Sequence, residues 1–101
     1  MEKLTLLGAR KYYLLSCGRR TFSIKGHKEY EEVLVITLTN DGGYIELEIV
    51  DKSNNESTKL ENPESGIYSF PLKKGEVTNL IIRAKSAIGS YKIEKKTTIN
   101  K

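Results

Sequence analysis

The stretch Val33-Leu34-Val35-Ile36-Thr37-Leu38-Thr39-Asn40-Asp41-Gly42-Gly43-Tyr44-Ile45-Glu46-Leu47-Glu48-Ile49-Val50 decides the fold class. In its second half Ile45, Leu47 and Ile49 alternate with Glu46 and Glu48, the period of a half-buried antiparallel strand. Residues 33–39 are apolar on both faces, as in a central strand covered on each side over part of its length. Between the halves, Asn, Asp and two Gly tolerate the positive φ angles of a tight turn, so residues 33–50 read as one hairpin.

Working outward, the apolar residues keep a period of two, and no window of 11 or more residues carries a helical stripe. Tyr68, Phe70 and Leu72 share a face, and Pro71, which has no N–H to donate, predicts an edge strand or a strand end. Lys73-Lys74-Gly75-Glu76 reads as a turn. Leu80, Ile82 and Ala84 then alternate with Ile81 and Arg83; past Ala87-Ile88-Gly89, Tyr91 and Ile93 point inward, which reads as a second hairpin. Phe22 and Ile24 mark an earlier strand, and residues 4–7 and 12–15 supply two shorter ones. Residues 51–64 are polar except Leu60 and read as a mobile loop with one short strand near 58–60. The expectation is an all-β chain, a single antiparallel β-sandwich of about seven to eight strands, with a closed small β-barrel as the alternative.

The 101 residues suffice for a single domain over 1–101 with one two-layer core. With 38% apolar residues gathered into short alternating runs, the chain can bury that core, which argues against disorder. One Cys forms no internal disulfide and one His makes no cluster, so disulfide scaffolds and zinc ribbons are excluded, and neither a metal nor a cofactor is expected. The net charge of +4 is spread over Arg10-Lys11, Arg19-Arg20, Lys73-Lys74 and Lys95-Lys96 rather than gathered in one block, which argues against nucleic acid as a partner. No run reaches the roughly 18 apolar residues of a membrane helix.

Leu72-Lys73-Lys74-Gly75 followed by Ile82-Arg83-Ala84-Lys85-Ser86-Ala87-Ile88-Gly89 resembles the E-F-G region of fibronectin type III and other immunoglobulin-like modules, a likeness spanning about residues 66–95. Where that family places Pro, the tyrosine-corner Tyr and a turn Asn, this chain has Lys74, Thr78 and Ser86, and the core Trp is missing. The run from Tyr68 to Ile93 is also similar to the end of small β-sandwich domains of bacterial envelope lipoproteins. The first resemblance implies an immunoglobulin-like sandwich; the second implies a bacterial source and a place in the cell envelope or outside the cell.

Leu14-Leu15-Ser16-Cys17-Gly18 resembles a lipobox, and lipidation of Cys17 would bring the chain to a membrane. Glu2, Arg10 and Lys11 break the apolar stretch that a signal peptide needs. Retention of residues 1–16 would favour the cytoplasm. For catalysis, Cys17 and His27 are the nucleophile and base types of a thiolate pair, but no Gly-rich elbow flanks Cys17, and Glu46 with Glu48 read as a solvated strand face. No catalytic residue is therefore expected. The function predicted is a non-enzymatic module of surface recognition, or a structural spacer, with an unidentified protein or glycan partner; a domain tethered through Cys17 and a nucleic-acid-binding barrel are the alternatives. Candidate binding residues are Ser53, Asn54, Asn55 and Lys59 in the polar loop and Lys85, Ser86 and Ile88 in the later turn. In the barrel alternative, Tyr12, Tyr13, Tyr30 or Tyr44 would stack bases, and what separates that role from core packing is exposure on a face shared with Lys or Arg.

Overall fold

The computed structural model describes residues 2–15 and 18–99. Six strands follow one another: β1 (Glu2–Leu15), β2 (Gly18–Lys25), β3 (Glu31–Asp51), β4 (Glu56–Glu61), β5 (Gly66–Leu72) and β6 (Val77–Thr98). All belong to one antiparallel sheet, without a helix among the described residues. The chain is all-β, as the period of two predicts.

The strand count falls below seven because neither expected hairpin exists. β3 runs for 21 residues straight through 40–43, and β6 runs for 22 through 85–89. These two long strands pair with each other along almost their whole length, from Glu31 opposite Thr98 to Asp51 opposite Thr78. Residues 2–15 likewise form one strand where two short ones are expected, with register shifts between Leu6 and Gly8 and between Tyr12 and Leu15. Residues 51–64, read as a mobile loop with one short strand near 58–60, hold that strand as the longer β4, which pairs with β3 from Glu46 opposite Glu61 to Asp51 opposite Glu56.

The reason lies in a coordinated bulge. Along β3 the buried side chains fall at Leu34, Ile36 and Leu38 and then at Ile45, Leu47 and Ile49, so the inward phase changes from even to odd across 40–44. Along β6 it changes from Leu80, Ile82 and Ala84 to Ala87, Tyr91 and Ile93. The register jumps at the same place, Asn40 facing Gly89, Gly42 facing Ile88 and Tyr44 facing Lys85. Extra residues on each strand bend both while keeping apolar side chains on one side. Gly43, at φ 77°, is indispensable here, since a Cβ on it would lie 1.9 Å from the Ser86 carbonyl oxygen. Ser86 itself sits at φ 47°.

The bend divides the sheet into two limbs. Limb I holds β1, the second part of β6, the first part of β3, and β5; limb II holds β2, the first part of β6, the second part of β3, and β4. A straight strand of 21 residues would span about 70 Å, yet the longest dimension of the molecule is 45 Å. Side chains of both limbs form one buried cluster, Leu34, Ile36, Leu38 and Ile93 from limb I with Ile45, Leu47 and Leu80 from limb II. Phe22 of limb II meets Tyr91 of limb I edge-on, with ring centroids 6.4 Å apart. Each fully buried aliphatic side chain contributes roughly 1.5–3 kcal/mol, so the doubled-over arrangement is what makes the alternating pattern stabilising.

Away from the bend, two limb-crossing turns clasp each other. Gly26 N–H donates to the Glu76 carbonyl at 2.9 Å and Gly75 N–H to the Gly26 carbonyl at 3.1 Å. A Cβ on Gly26 would stand 2.2 Å from the Lys73 carbonyl oxygen, so this approach admits only glycine. β5 pairs with β3 alone, and Pro71 stands on that edge strand, as its missing donor predicts.

Candidate functional site

Three clusters of polar chemistry arise from this fold, and their positions follow from strand phase. At the clasp, Glu32 shares the even inward phase of Leu34 and Ile36 and is buried. Lys95 and Thr97 share the odd phase of Tyr91 and Ile93 on the neighbouring strand. Lys95 Nζ lies 2.9 Å from Glu32 Oε1, Thr97 Oγ1 donates to Oε2 at 2.5 Å, and His27 N–H donates to Oε1 at 2.6 Å. Burial pushes the Glu32 carboxyl upward, but the hydrogen bonds from Thr97, Lys95 and His27 outweigh it and hold it below its ordinary value. Lys95 Nζ also donates to the Lys25 carbonyl at 2.9 Å, so the cluster ties β6 to the end of β2. Every donor and acceptor here serves the fold.

The second cluster is the outward face of limb I. Leu4 and Leu6 on β1 and Ile67 on β5 are 60–71% exposed and flank half-buried Val33 and Val35. The charges between them are paired internally, Lys96 with Glu2 at 3.0 Å and Lys92 with Glu94 at 3.5 Å. Exposed apolar surface of this kind fits contact with another macromolecule, but nothing on this face selects a chemistry.

The third cluster lies on the outward face of limb II beside the bend. The phase change that turns Ile45, Leu47 and Ile49 inward turns Tyr44, Glu46 and Glu48 outward. Tyr44 stands opposite Lys85; one row further, Glu46 stands opposite Arg83, which stands opposite Arg19 of β2. A shallow hollow beside them is lined by Gly18, Arg19, Tyr44, Arg83, Ala84 and Lys85. Arg83 Nη1 is held between Glu46 Oε2 at 2.7 Å and Glu48 Oε1 at 2.8 Å. The Arg83 hydrogen bond holds the Glu48 carboxyl below its usual value despite opposing desolvation. Arg19 and Lys85 are exposed and join no ion pair among the described residues. The Tyr44 hydroxyl donates to Glu46 Oε1 at 3.3 Å, and desolvation, then Glu46 and Glu61, push the phenol above its ordinary value.

The residues expected to bind do not come together. Ser53, Asn54 and Asn55 form an exposed tight turn at the far end of limb II, and Lys59 lies within β4. Lys85, Ser86 and Ile88 lie in the bend of β6. Seven residues of β3, about 23 Å at strand rise, separate the turn of Ser53, Asn54 and Asn55 from the bend, while Lys59, opposite Glu48, lies four residues of β3 from it. Of the third cluster, Lys85 is among the expected binding residues, whereas Tyr44, Arg19 and Arg83 are not. Tyr44 is legible from strand phase, whereas the nearness of Arg19 depends on pairing across β6. Of the tyrosines weighed for stacking, Tyr30 is half-buried with its ring 4.6 Å from His27, and the side chains of Tyr12 and Tyr13 lie outside those described. Tyr44 meets the condition of exposure beside Lys and Arg.

Cys17 lies outside the described residues, so both its lipidation and its pairing with His27 do too. The Nδ1 of His27 accepts from the backbone N–H of Glu29 at 3.0 Å and of Tyr30 at 3.3 Å, holding the turn from β2 to β3. Glu46 and Glu48, expected in open water, are half-buried and locked on Arg83. No group of three or more His, Cys, Asp or Glu among the described residues could hold a metal ion, and no described helix is long and apolar enough to cross a membrane. Compared with known proteins, the chain matches no family model, no curated protein and no solved structure.

Proposed function

We propose that the protein is a non-enzymatic recognition module of β-sandwich architecture, its two limbs acting as the layers of the sandwich and its outward faces making the contacts. The observation that carries this reading is how the polar groups are committed. Glu32, Glu46, Glu48 and Asp51, the carboxylates with the best defined surroundings, are each held by a cation, while Arg19, Lys85 and the exposed Tyr44 ring stand together on an open sheet face. Groups placed to touch a surface rather than to enclose a substrate suit recognition. The sequence likeness to fibronectin type III and immunoglobulin-like modules implies the same architecture, although β6 continues through residues 85–89, where that pattern turns from strand F to strand G. β3 and β6, each running through both limbs, depart from the separate sheets of that fold.

The test is a two-dimensional NMR titration of the full chain with three probes: an acidic peptide, a sulfated glycan and a short single-stranded oligonucleotide. The reading expects saturable shifts at Gly18, Tyr44 and Lys85 with at least one probe and none at the Glu32 cluster. Shifts spread through the buried residues, or no saturable response to any probe, would overturn it.

A further inference from the structure

We infer that the Tyr44 corner is a contact site for single-stranded nucleic acid, one base stacking on the exposed ring while the flanking phosphates meet Arg19 and Lys85. The inference rests on the recognition reading above and names its ligand class.

The arrangement combines two kinds of surface that few ligands match at once. Tyr44 is 38% exposed and borders a shallow hollow that it lines with Arg19, Arg83 and Lys85, which offers a flat partner a π-face edged by cations. Its hydroxyl is directed to Glu46, so the phenol is anchored at its tip. Lys85 sits directly across the strand pair from Tyr44, and Arg19 lies one strand and one row from Lys85. From sheet spacings of about 4.8 Å between strands and about 6.6 Å between same-face residues, those two positions are about 8 Å apart, within reach of successive phosphates for two long side chains.

The surrounding charges narrow the choice further. Arg83, held between Glu46 and Glu48, and Lys59, 4.0 Å from Glu46, together balance those two carboxylates, which leaves Glu61 as the carboxylate without an ion pair in this row among the described residues. A run of carboxylates alone would supply negative charge but nothing to stack on the ring. A duplex would hide its base faces in its own stack. A single strand offers a base and a phosphate in each repeat, and base–aromatic stacking is tolerant of sequence. One ring and two cations make a weak, sequence-tolerant site, with affinity dominated by salt.

The experiment is fluorescence anisotropy of a labelled oligothymidylate and a labelled oligouridylate titrated with the full chain between about 50 and about 200 mM salt. The expected result is saturable binding that weakens with salt. Tyr44→Ala should weaken it about tenfold without changing the salt slope, and Tyr44→Phe should retain it. Arg19→Gln and Lys85→Gln should each lower the slope by about one. Lys74→Gln, in the turn at the opposite end, should change nothing. Unchanged thermal unfolding of these exposed-site variants certifies that each is folded. Equal losses from Lys74→Gln and Arg19→Gln, or a Tyr44→Ala variant that binds as before, would overturn the inference in favour of diffuse charge attraction. Displacement of the oligonucleotide by an equal charge of polyglutamate would overturn it while leaving the recognition reading in place. Absence of binding to either polyanion would overturn the inference at this corner outright.

Discussion

Residues 40–43 and residues 52–55 carry the same kind of turn chemistry, yet one bends a strand and the other reverses it. In the second, the hydrogen bonds are local. Asn55 N–H donates to the Asp51 carbonyl, Ser53 donates from both N–H and Oγ to Asp51 Oδ1, and Glu56 N–H donates to Asn54 Oδ1, all within four residues. In the first, the partners are distant. Asn40 Nδ2 donates to Asn62 Oδ1 and the Pro63 carbonyl, Asn40 N–H donates to Ser65 Oγ, and Ile45 N–H donates to Asn62 Oδ1. Across the sheet, the other side of the bend meets the matching irregularity in β6. Turn residues satisfied by near neighbours close a hairpin; the same residue types satisfied from 17 to 25 positions away let the strand continue.

The sharpest way to break the bend is Gly43→Ala. The added Cβ meets the Ser86 carbonyl oxygen at 1.9 Å while the backbone sits at φ 77°, so neither the clash nor the torsion can relax alone. The expected loss is more than about 3 kcal/mol, read from denaturant unfolding. Gly42→Ala, where the added Cβ meets nothing within 4 Å, should cost less. Equal losses at the two positions would show that close approach to β6 is not what fixes the bend.

Next in size is the contrast between Asn62→Ala and Asn54→Ala. Asn62 Oδ1 accepts from Asn40 Nδ2, which keeps the Pro63 carbonyl, and from the part-buried Ile45 N–H, so truncation removes the side-chain acceptor of that N–H in the bulge. The loss should be about 1–3 kcal/mol. Asn54 Oδ1 accepts one exposed N–H that water can satisfy, and its loss should stay within about 0.5 kcal/mol. Thermal unfolding of the two variants side by side checks this ordering.

How far the sequence reaches can be told from the same residues. The inward set Ile45, Leu47 and Ile49, the set Leu80, Ile82 and Ala84, the inward pair Tyr91 and Ile93, and the edge position of Pro71 all follow from a period of two. Glu32 was legible too, since it falls in phase with Leu34, although its acidic side chain draws a reader toward solvent. The bend was not, because Asn-Asp-Gly-Gly fits a local turn, and the partners that make it a bulge, Asn62, Pro63, Ser65 and the irregularity of β6, lie 22 or more positions from Asn40. The candidate site fails for the same reason. Tyr44 can be placed outward by phase, but its nearness to Arg19 and Lys85 depends on register with strands far along the chain.

Acid distinguishes the two regions by a smaller effect. Asp51 accepts from Ser53 and pairs with Lys73 Nζ at 2.7 Å; Lys73 and then Ser53 lower its pKa from 3.8 to about 2. Because the folded value is the lower one, its contribution is complete above about 3.8 and is lost as pH falls through about 2. Glu32 is shifted in the same direction, so the clasp weakens in acid as well. Asn40, Asn62 and Ser65 do not titrate. In a pH series followed by NMR, the Ser53 amide should therefore move with an inflection near 2, while the amides of Asn40 and Ile45 lack that inflection. An equal response at Ile45 would mean that the bend depends on the reversal instead of standing apart from it.

The smallest change compares two non-glycine residues in the left-handed region, Ser86 at φ 47° in the bend and Asn55 at φ 59° in the reversal. Asn tolerates that region by its own polar side chain, whereas Ser does so less readily. Glycine removes the torsional cost at either site but loses more backbone entropy on folding. At Asn55 the two effects nearly cancel, and Asn55→Gly should leave the unfolding midpoint almost unchanged. At Ser86 the torsional gain is larger, so Ser86→Gly should stabilise by a few tenths up to about 1 kcal/mol. The carbonyl of this residue faces Gly43, and glycine there keeps that contact intact. A loss on Ser86→Gly would mean that the Ser86 side chain, rather than the backbone geometry of the paired bulge, secures the bend.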